Sequence, residues 1–260
     1  VASADAMSIP DRDRPAPAVQ REPEGFARPV SVADEALLQL VDDLREGLYP
    51  RGSSLPNLQE LAQYLNISVT NVRVALQRLE TAGVVSVRRG RGGGVTVITL
   101  DNVSAALQSI FSPTPERQLP ALVEAWSTLE REVFLLASRR ASQEDLARLA
   151  AAIKDLHEVE PGNAAAFQEL SFRVHTVAAT IARNPFLKRY FSTLMNMLGA
   201  VFTARGNLSE FTADRRRLAL EQYDGLLQAV VRQDFPGISG VVQDRAELQL
   251  QMMGLAPERS

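Results

Sequence analysis

The sequence predicts a mainly α fold in two parts: a small N-terminal head of three helices closed by a β-hairpin, and a larger C-terminal antiparallel α-helical bundle. Three observations predict it. From residue 31 onward, apolar residues recur at helical spacing, with capping residues at the breaks. Two β-branched runs between residues 84 and 98 flank one glycine-rich stretch. Residues 102–253 then carry amphipathic runs joined by short breaks, the pattern of antiparallel helices. With 260 residues, the chain is long enough for one large domain or two ordinary ones, and for a sizeable core.

Residues 1–29 hold five of the fourteen prolines and no apolar periodicity, and read as a disordered arm. The head follows over residues 30–99. Leu37, Leu40, Val41, Leu44 and Leu48 define its first helix, which Gly47 and Pro50 end. Asn57 and Glu60 form a capping box at the start of a short second helix carrying Leu58, Leu61, Ala62 and Leu65. After the turn at Asn66-Ile67, Ser68 caps a third helix through Val72, Ala75, Leu76 and Leu79, and Gly83 sits at its C-terminal stop. The runs Val84–Val87 and Val95–Ile98 make a hairpin around Arg88-Arg89-Gly90-Arg91-Gly92-Gly93-Gly94.

The bundle, residues 100–255, opens with a short helix around Val103–Phe111, broken by Ser112-Pro113-Thr114-Pro115. A helix carrying Leu119 to Leu136 follows, then one capped by Ser142, then one over about 164–182. Asn184-Pro185 caps the next, and the last two span about 211–232 and 236–253.

Composition narrows the function. No cysteine excludes disulfides, thiolate metal sites and cysteine nucleophiles, and His157 and His175 are the only histidines. Without a second pocket histidine, an activated carboxylate pair or a phosphate-binding glycine loop before a helix, no catalytic residues and no cofactor are expected. No apolar run reaches the roughly 18 residues of a membrane span, and the N-terminus shows no signal-peptide pattern, so a cytoplasmic location without membrane partners is expected. The formal charge of −3 divides unevenly. Residues 51–99 carry six arginines against Glu60 and Glu80, or +4, which leaves −7 elsewhere.

Helix, short turn, helix and glycine-rich hairpin is the layout of a winged helix-turn-helix. Its second helix of the pair presents its first turns to base edges, here Ser68, Thr70, Asn71 and Arg73. Arg88, Arg89 and Arg91 sit on the hairpin loop, where glycines permit close approach to a phosphate backbone or minor groove. Arg215-Arg216-Arg217 begins a distant helix and reads as a solvated face, as His157 reads as a surface residue.

In the bundle, polar residues interrupt apolar stripes: Ser171 and His175 on one helix, Gln222 on the next to last, Arg245 on the last. Trp126 and Glu130 lie on the helix of residues 119–136. Buried polar groups are costly unless satisfied, so their coincidence points to one shared pocket. Two readings stay open. In one, Arg245 binds an anionic effector, Trp126 forms an apolar wall, and Ser171, His175 and Gln222 orient the ligand. In the other, Arg245 pairs with Glu130, Gln222 bonds His175, and the network is closed.

Leu55–Ala62, Ile67–Leu76 and Gly90-Arg91-Gly92 followed by Val95 resemble the DNA-binding domain of GntR transcription regulators, and the helical remainder resembles the FadR-type FCD branch. The resemblance implies DNA contacts from Asn57, Gln59, Ser68, Thr70, Asn71, Arg73, Arg89, Arg91 and Gly92. It implies an effector site at Trp126, Ser171, His175, Gln222 and Arg245. Gln59 and Val69 stand where the family commonly has arginine, which reduces phosphate attraction. Metal-binding FCD proteins hold a divalent ion with one Asp and three His. Those positions correspond here to Ser171, His175, Gln222 and, by helix position, Arg245, so no metal is expected. The expected function is a homodimeric regulator, a repressor, that binds an inverted-repeat operator in double-stranded DNA under control of a small carboxylate or phosphate. The alternative is a constitutive DNA-binding dimer whose helical domain binds no effector.

Overall fold

A computed structural model describes residues 31–88, 90, 93–108, 110, 111, 114–205 and 211–255. The arm of residues 1–29 lies outside them, as do the wing residues Arg89, Arg91 and Gly92.

The head comprises α1 (Val32–Arg45), α2 (Leu58–Leu65), α3 (Val69–Thr81), β1 (Val85–Arg88) and β2 (Gly94–Val97). Its helix starts follow the sequence. Ser31 and Asp34 close a capping box on α1, Asn57 and Glu60 close one on α2, and the Ser68 hydroxyl accepts the Asn71 N–H on α3. Each cap satisfies backbone donors that the helix itself leaves open. Asn66 takes a left-handed conformation with φ 53°, which turns α2 sharply into α3. The strands pair antiparallel, Val85 opposite Val97 and Val87 opposite Val95. Ser54 bridges Thr96 and extends that small sheet. At the tip, a Cβ on Gly93 would lie 2.1 Å from the Arg88 carbonyl oxygen, so the turn has room only for glycine. Leu37, Leu40, Leu61, Val72 and Leu79 bury completely between the helices and the hairpin.

The bundle comprises α4 (Val103–Leu107), a 3-10 turn (Glu116–Gln118), α5 (Leu119–Arg140), α6 (Gln143–His157), α7 (Ala164–Ile181), α8 (Pro185–Arg205), α9 (Ala213–Arg232) and α10 (Phe235–Met252). Ser142 and Asp145 box the start of α6, and the Asn184 side chain accepts the Leu187 N–H ahead of α8. Helix α5 is central, packed by α7, α8, α9 and α10. Val133, Phe134 and Ala137 on α5 bury completely, with Leu149 and Leu156 of α6 and Phe191 of α8. Helix α4 has a double allegiance. Val103, Ala106, Leu107 and Ile110 belong to the apolar cluster of the head, while the helix itself packs on α8. The short helix also stops at Leu107, four residues earlier than its apolar pattern suggests. Leu218 of α9 is 41% exposed; the buried stripe runs through Ala219, Gln222, Tyr223, Leu226 and Val230.

Candidate functional site

Two groups of residues stand out, one on the head and one inside the bundle. On the head, Ser68, Thr70 and Arg73 are exposed at the start of α3, with Asn71 half-buried beside them, and Asn57 and Gln59 exposed at the start of α2. The expected reading residues among those described are therefore open to solvent, fully or in part. Two have part of their capacity already engaged. The Asn57 side-chain oxygen Oδ1 accepts the Gln59 and Glu60 N–H groups, and the Ser68 hydroxyl oxygen accepts the Asn71 N–H at 3.3 Å. What each still offers DNA is its donor: the Asn57 amide and the Ser68 hydroxyl proton. Arg78, counted in the basic excess, pairs instead with Asp34 of α1. Burial pushes the Asp34 carboxyl up, but hydrogen bonds from Arg78 and Ser31 outweigh it and hold its pKa below the usual value. Among the described residues of 51–99, exposed Arg51, Arg73 and Arg88 carry the remaining positive charge. Arg215-Arg216-Arg217 makes internal contacts instead. Arg216 donates to the carbonyl oxygens of His157 and Val159, and Arg217 pairs with Glu221. His157 itself lies on the surface against Asp224 at 3.0 Å.

In the bundle, Glu130 of α5, His175 of α7, and Tyr223 and Arg245 of α9 and α10 form one buried network. Glu130 Oε1 lies 2.7 Å from His175 Nε2 and accepts Arg245 Nε–H at 2.9 Å. Arg245 also donates to the Tyr223 hydroxyl at 2.9 Å, with its guanidinium 4.1 Å from the Tyr223 ring centroid. His175 Nδ1 lies 2.7 Å from the Ser171 carbonyl oxygen, an acceptor, so this nitrogen carries a proton. Burial raises the Glu130 pKa, yet the Arg245 charge and the His175 hydrogen bond bring it below the ordinary value. Burial also works against the Arg245 charge, and Tyr223 and Glu130 overcome it, so its pKa stands above the usual arginine range. Burial pushes the Tyr223 hydroxyl up. Gln222 takes no part: its Oε1 is buried without a hydrogen-bond partner, and it does not bond His175.

Beside the network lies a cavity of about 70 Å³. Its polar wall is Gln168, Ser171, Gln222, Tyr223, Arg245 and Gln249, drawn from α7, α9 and α10. Phenyl rings of Phe167, Phe172, Phe202 and Phe211 form much of the apolar wall. Among the described residues, Arg245 is the single charged one in the lining. The Oε1 atoms of Gln168, Gln222 and Gln249 are buried and unpartnered. Of the five expected effector residues, Ser171, Gln222 and Arg245 thus line the cavity. His175 sits behind Arg245, and Trp126 packs edge-on against the His175 ring with centroids 5.8 Å apart, not on the cavity wall.

Tyr223, Gln168 and Gln249 escaped the sequence reading, although signals for two of them existed. Gln168 precedes His175 by seven residues and Gln249 follows Arg245 by four, both on the same helix face. Tyr223 could have been placed only by centring the α9 stripe on Ala219 and Leu226.

The four positions that hold metal in FCD proteins do not fit an ion here. The Ser171 hydroxyl donates to the Gln168 carbonyl, both His175 nitrogens face partners, and Arg245 has no lone pair to give. Among the described residues, no three His, Cys, Asp or Glu side chains stand together as a metal cluster, and no helix is long and apolar enough to cross a membrane.

Comparison with known proteins agrees with this architecture. Residues 32–95 match the model for bacterial regulatory proteins of the gntR family, and residues 121–244 match the FCD domain. The chain is 29% identical over 167 residues to the HTH-type transcriptional regulator YcbG of Bacillus subtilis, covering 64% of this chain and 68% of that one. It is 24% identical over 215 residues to the fatty acid metabolism regulator protein of Edwardsiella ictaluri, covering 83% and 86%. The solved structure of E. coli McbR/YncC superposes with a TM-score of 0.50 at 22% identity, over 87% of this chain and 97% of that one, which supports the fold. These relatives are regulators rather than enzymes. A winged head and an FCD bundle in this order, each matched by its own family model, place the chain in the GntR family of transcription regulators, in the branch that carries an FCD domain.

Proposed function

We propose that this regulator acts as a homodimeric repressor in the cytoplasm, reading an inverted-repeat operator with two winged heads and answering to a small molecule bound without metal in the bundle. One head reads one half-site, so an inverted repeat calls for two copies. The reading residues are Asn57, Gln59, Ser68, Thr70, Asn71 and Arg73, with Arg89, Arg91 and Gly92 of the wing.

One observation carries the effector: Ser171, Gln222 and Arg245, from three helices, meet at one cavity. A cavity of about 70 Å³ suits a small ligand. Arg245, the one charged residue among the described lining, favours a small carboxylate or phosphate, with the carboxamides of Gln222 and Gln249 to orient it. The ligand shifts DNA affinity only by binding two arrangements of the protein unequally.

The test is a thermal-shift screen of the full chain against small carboxylates and phosphates, followed by operator titration with any stabilising compound. Stabilisation lost in Arg245→Met and matched by altered operator affinity is the expected result. Failure of every compound, or stabilisation with unchanged DNA affinity, overturns the effector reading in favour of a constitutive DNA-binding dimer.

A further inference from the structure

Glu169 on α7 holds two segments where the head meets the bundle, the end of α1 and the start of α4. Its Oε2 accepts Arg45 Nε–H at 3.2 Å and a terminal Arg45 N–H at 2.8 Å, and Arg45 is the last residue of α1. Its Oε1 accepts the Ser104 backbone N–H at 3.0 Å and the Ser104 hydroxyl, at the start of α4. Asn196 of α8 accepts a further Arg45 N–H at 2.6 Å. The guanidinium stacks on Phe172, 4.9 Å from its centroid. Arg45, Ser104, Glu169 and Asn196 are all buried. A guanidinium enclosed in this way, with a carboxylate, an amide and a ring around it, holds one arrangement of head against bundle.

Two residues of this clasp also face the cavity. Phe172 is part of its wall, and Gln168 reaches both ways. The Ser104 proton goes to Glu169, so the Ser104 oxygen has only lone pairs to offer Gln168. Gln168 Nε2 accordingly donates to it at 3.1 Å, which fixes the amide and leaves Oε1 on the cavity side, buried and without a partner. The packing is tight here: a Cβ on Gly199 would lie 2.6 Å from Phe172 and 3.0 Å from the Ser104 hydroxyl. Movement of Gln168 or Phe172 is therefore felt at Ser104.

We propose that Gln168 is the positioning residue through which cavity occupancy reaches the DNA-binding head, by way of Ser104, Glu169 and Arg45. The proposal rests on the cavity being the effector site and adds how that site is coupled. It also adds a requirement on the ligand: a hydrogen-bond donor for Gln168 Oε1, besides the anionic group for Arg245. An occupant that displaces Gln168 withdraws the Ser104 partner and loosens the clasp at both α1 and α4.

A double-substitution cycle tests this with no ligand. Ala219 lines the cavity on α9, away from the clasp, so Ala219→Met stands in for a permanent occupant. The readouts are affinity for a duplex selected by the wild-type protein from a random pool, and amide exchange of residues 100–108. In the wild-type background, Ala219→Met should change operator affinity at least ~fivefold, the low end of ordinary allosteric coupling, and alter exchange in that segment. In the Ser104→Ala background the same substitution should change affinity by less than about twofold, because the link is already cut. Ala164→Leu fills the cavity from α7 and replaces Ala219→Met if that variant unfolds. Equal effects in both backgrounds, or no effect of either filling substitution on DNA affinity, overturn the coupling. A ligand screen without a hit overturns the effector reading instead, so the two failures are distinguishable.

Discussion

One carboxylate oxygen, Glu130 Oε1, serves His175 at 2.7 Å and Arg245 at 2.9 Å, while Oε2 of the same group has no hydrogen-bond partner. The bundle thus centres on an ion pair excluded from water. Such a pair adds little net stability compared with apolar residues, yet removing one partner strands a buried charge. Glu130→Gln should therefore destabilise the protein by about 3 kcal/mol in urea unfolding, whereas the combined change Glu130→Leu with Arg245→Met should cost distinctly less than the sum of the two single changes. A strictly additive double variant would show that the pair does not act as a unit.

The Glu130 carboxyl titrates below its unfolded value, so its contribution is complete above about pH 4.5 and is lost as pH falls through the lowered folded value. Asp42 has the opposite sign. It faces the groove between α1 and α8, with Oδ1 unpartnered, and burial raises its pKa to about 6 despite the charges of Arg45 and Lys188. The folded state then binds the proton more tightly than the unfolded state, and stability contributed by this group falls as pH rises from about 4 to 6. Asp42→Asn should stabilise the protein at pH 7.5 by up to about 3 kcal/mol and by much less at pH 4. Urea unfolding at the two pH values checks it; an equal effect at both would place the Asp42 carboxyl in the ordinary range.

Much of this was readable in the residues, for reasons particular to each. Asn57, Ser68 and Ser142 announced helix starts because a cap is a local hydrogen bond between near neighbours in sequence. Ser171, Gln222 and Arg245 were legible because each breaks an apolar stripe. The Arg45–Glu169 clasp was not, since its partners stand 124 residues apart and Arg45 looks like an ordinary basic residue in the last turn of a helix. The closed-network reading also gave Gln222 as the partner of His175, where the structure has Glu130. That depends on how α5 is rotated against α7, which stripes alone do not determine.

Metal withdrawal supplies another test. With Arg245 across from His175 and the Ser171 hydroxyl turned to the Gln168 carbonyl, a divalent ion would find one imidazole already engaged and a positive charge beside it. Exhaustive chelation should leave the melting temperature unchanged, and metal analysis of the purified protein should find substoichiometric zinc and manganese. Stoichiometric metal, or a melting temperature lowered by chelation and restored by zinc, would contradict this account of Ser171, His175, Gln222 and Arg245.

The head separates two kinds of DNA contact. Arg73 is exposed on the first turns of α3, and as a cation it attracts phosphate whatever the base sequence. Asn71, two residues earlier, meets the Ser68 cap through its backbone N–H, so among the described residues its carboxamide takes no part in the cap. An amide of this kind matches the paired donor and acceptor of adenine in the major groove. Arg73→Ala should weaken selected and unrelated duplexes alike and reduce the slope of log K against log salt by about one. Asn71→Ala should lower affinity for the selected duplex by about 1–3 kcal/mol, with little loss on unrelated DNA and an unchanged salt slope. Titration of both variants at several salt concentrations distinguishes these outcomes. Should the two substitutions behave identically, α3 would not lie along the groove with its first turns at the bases, and the docking of the head would have to be redrawn.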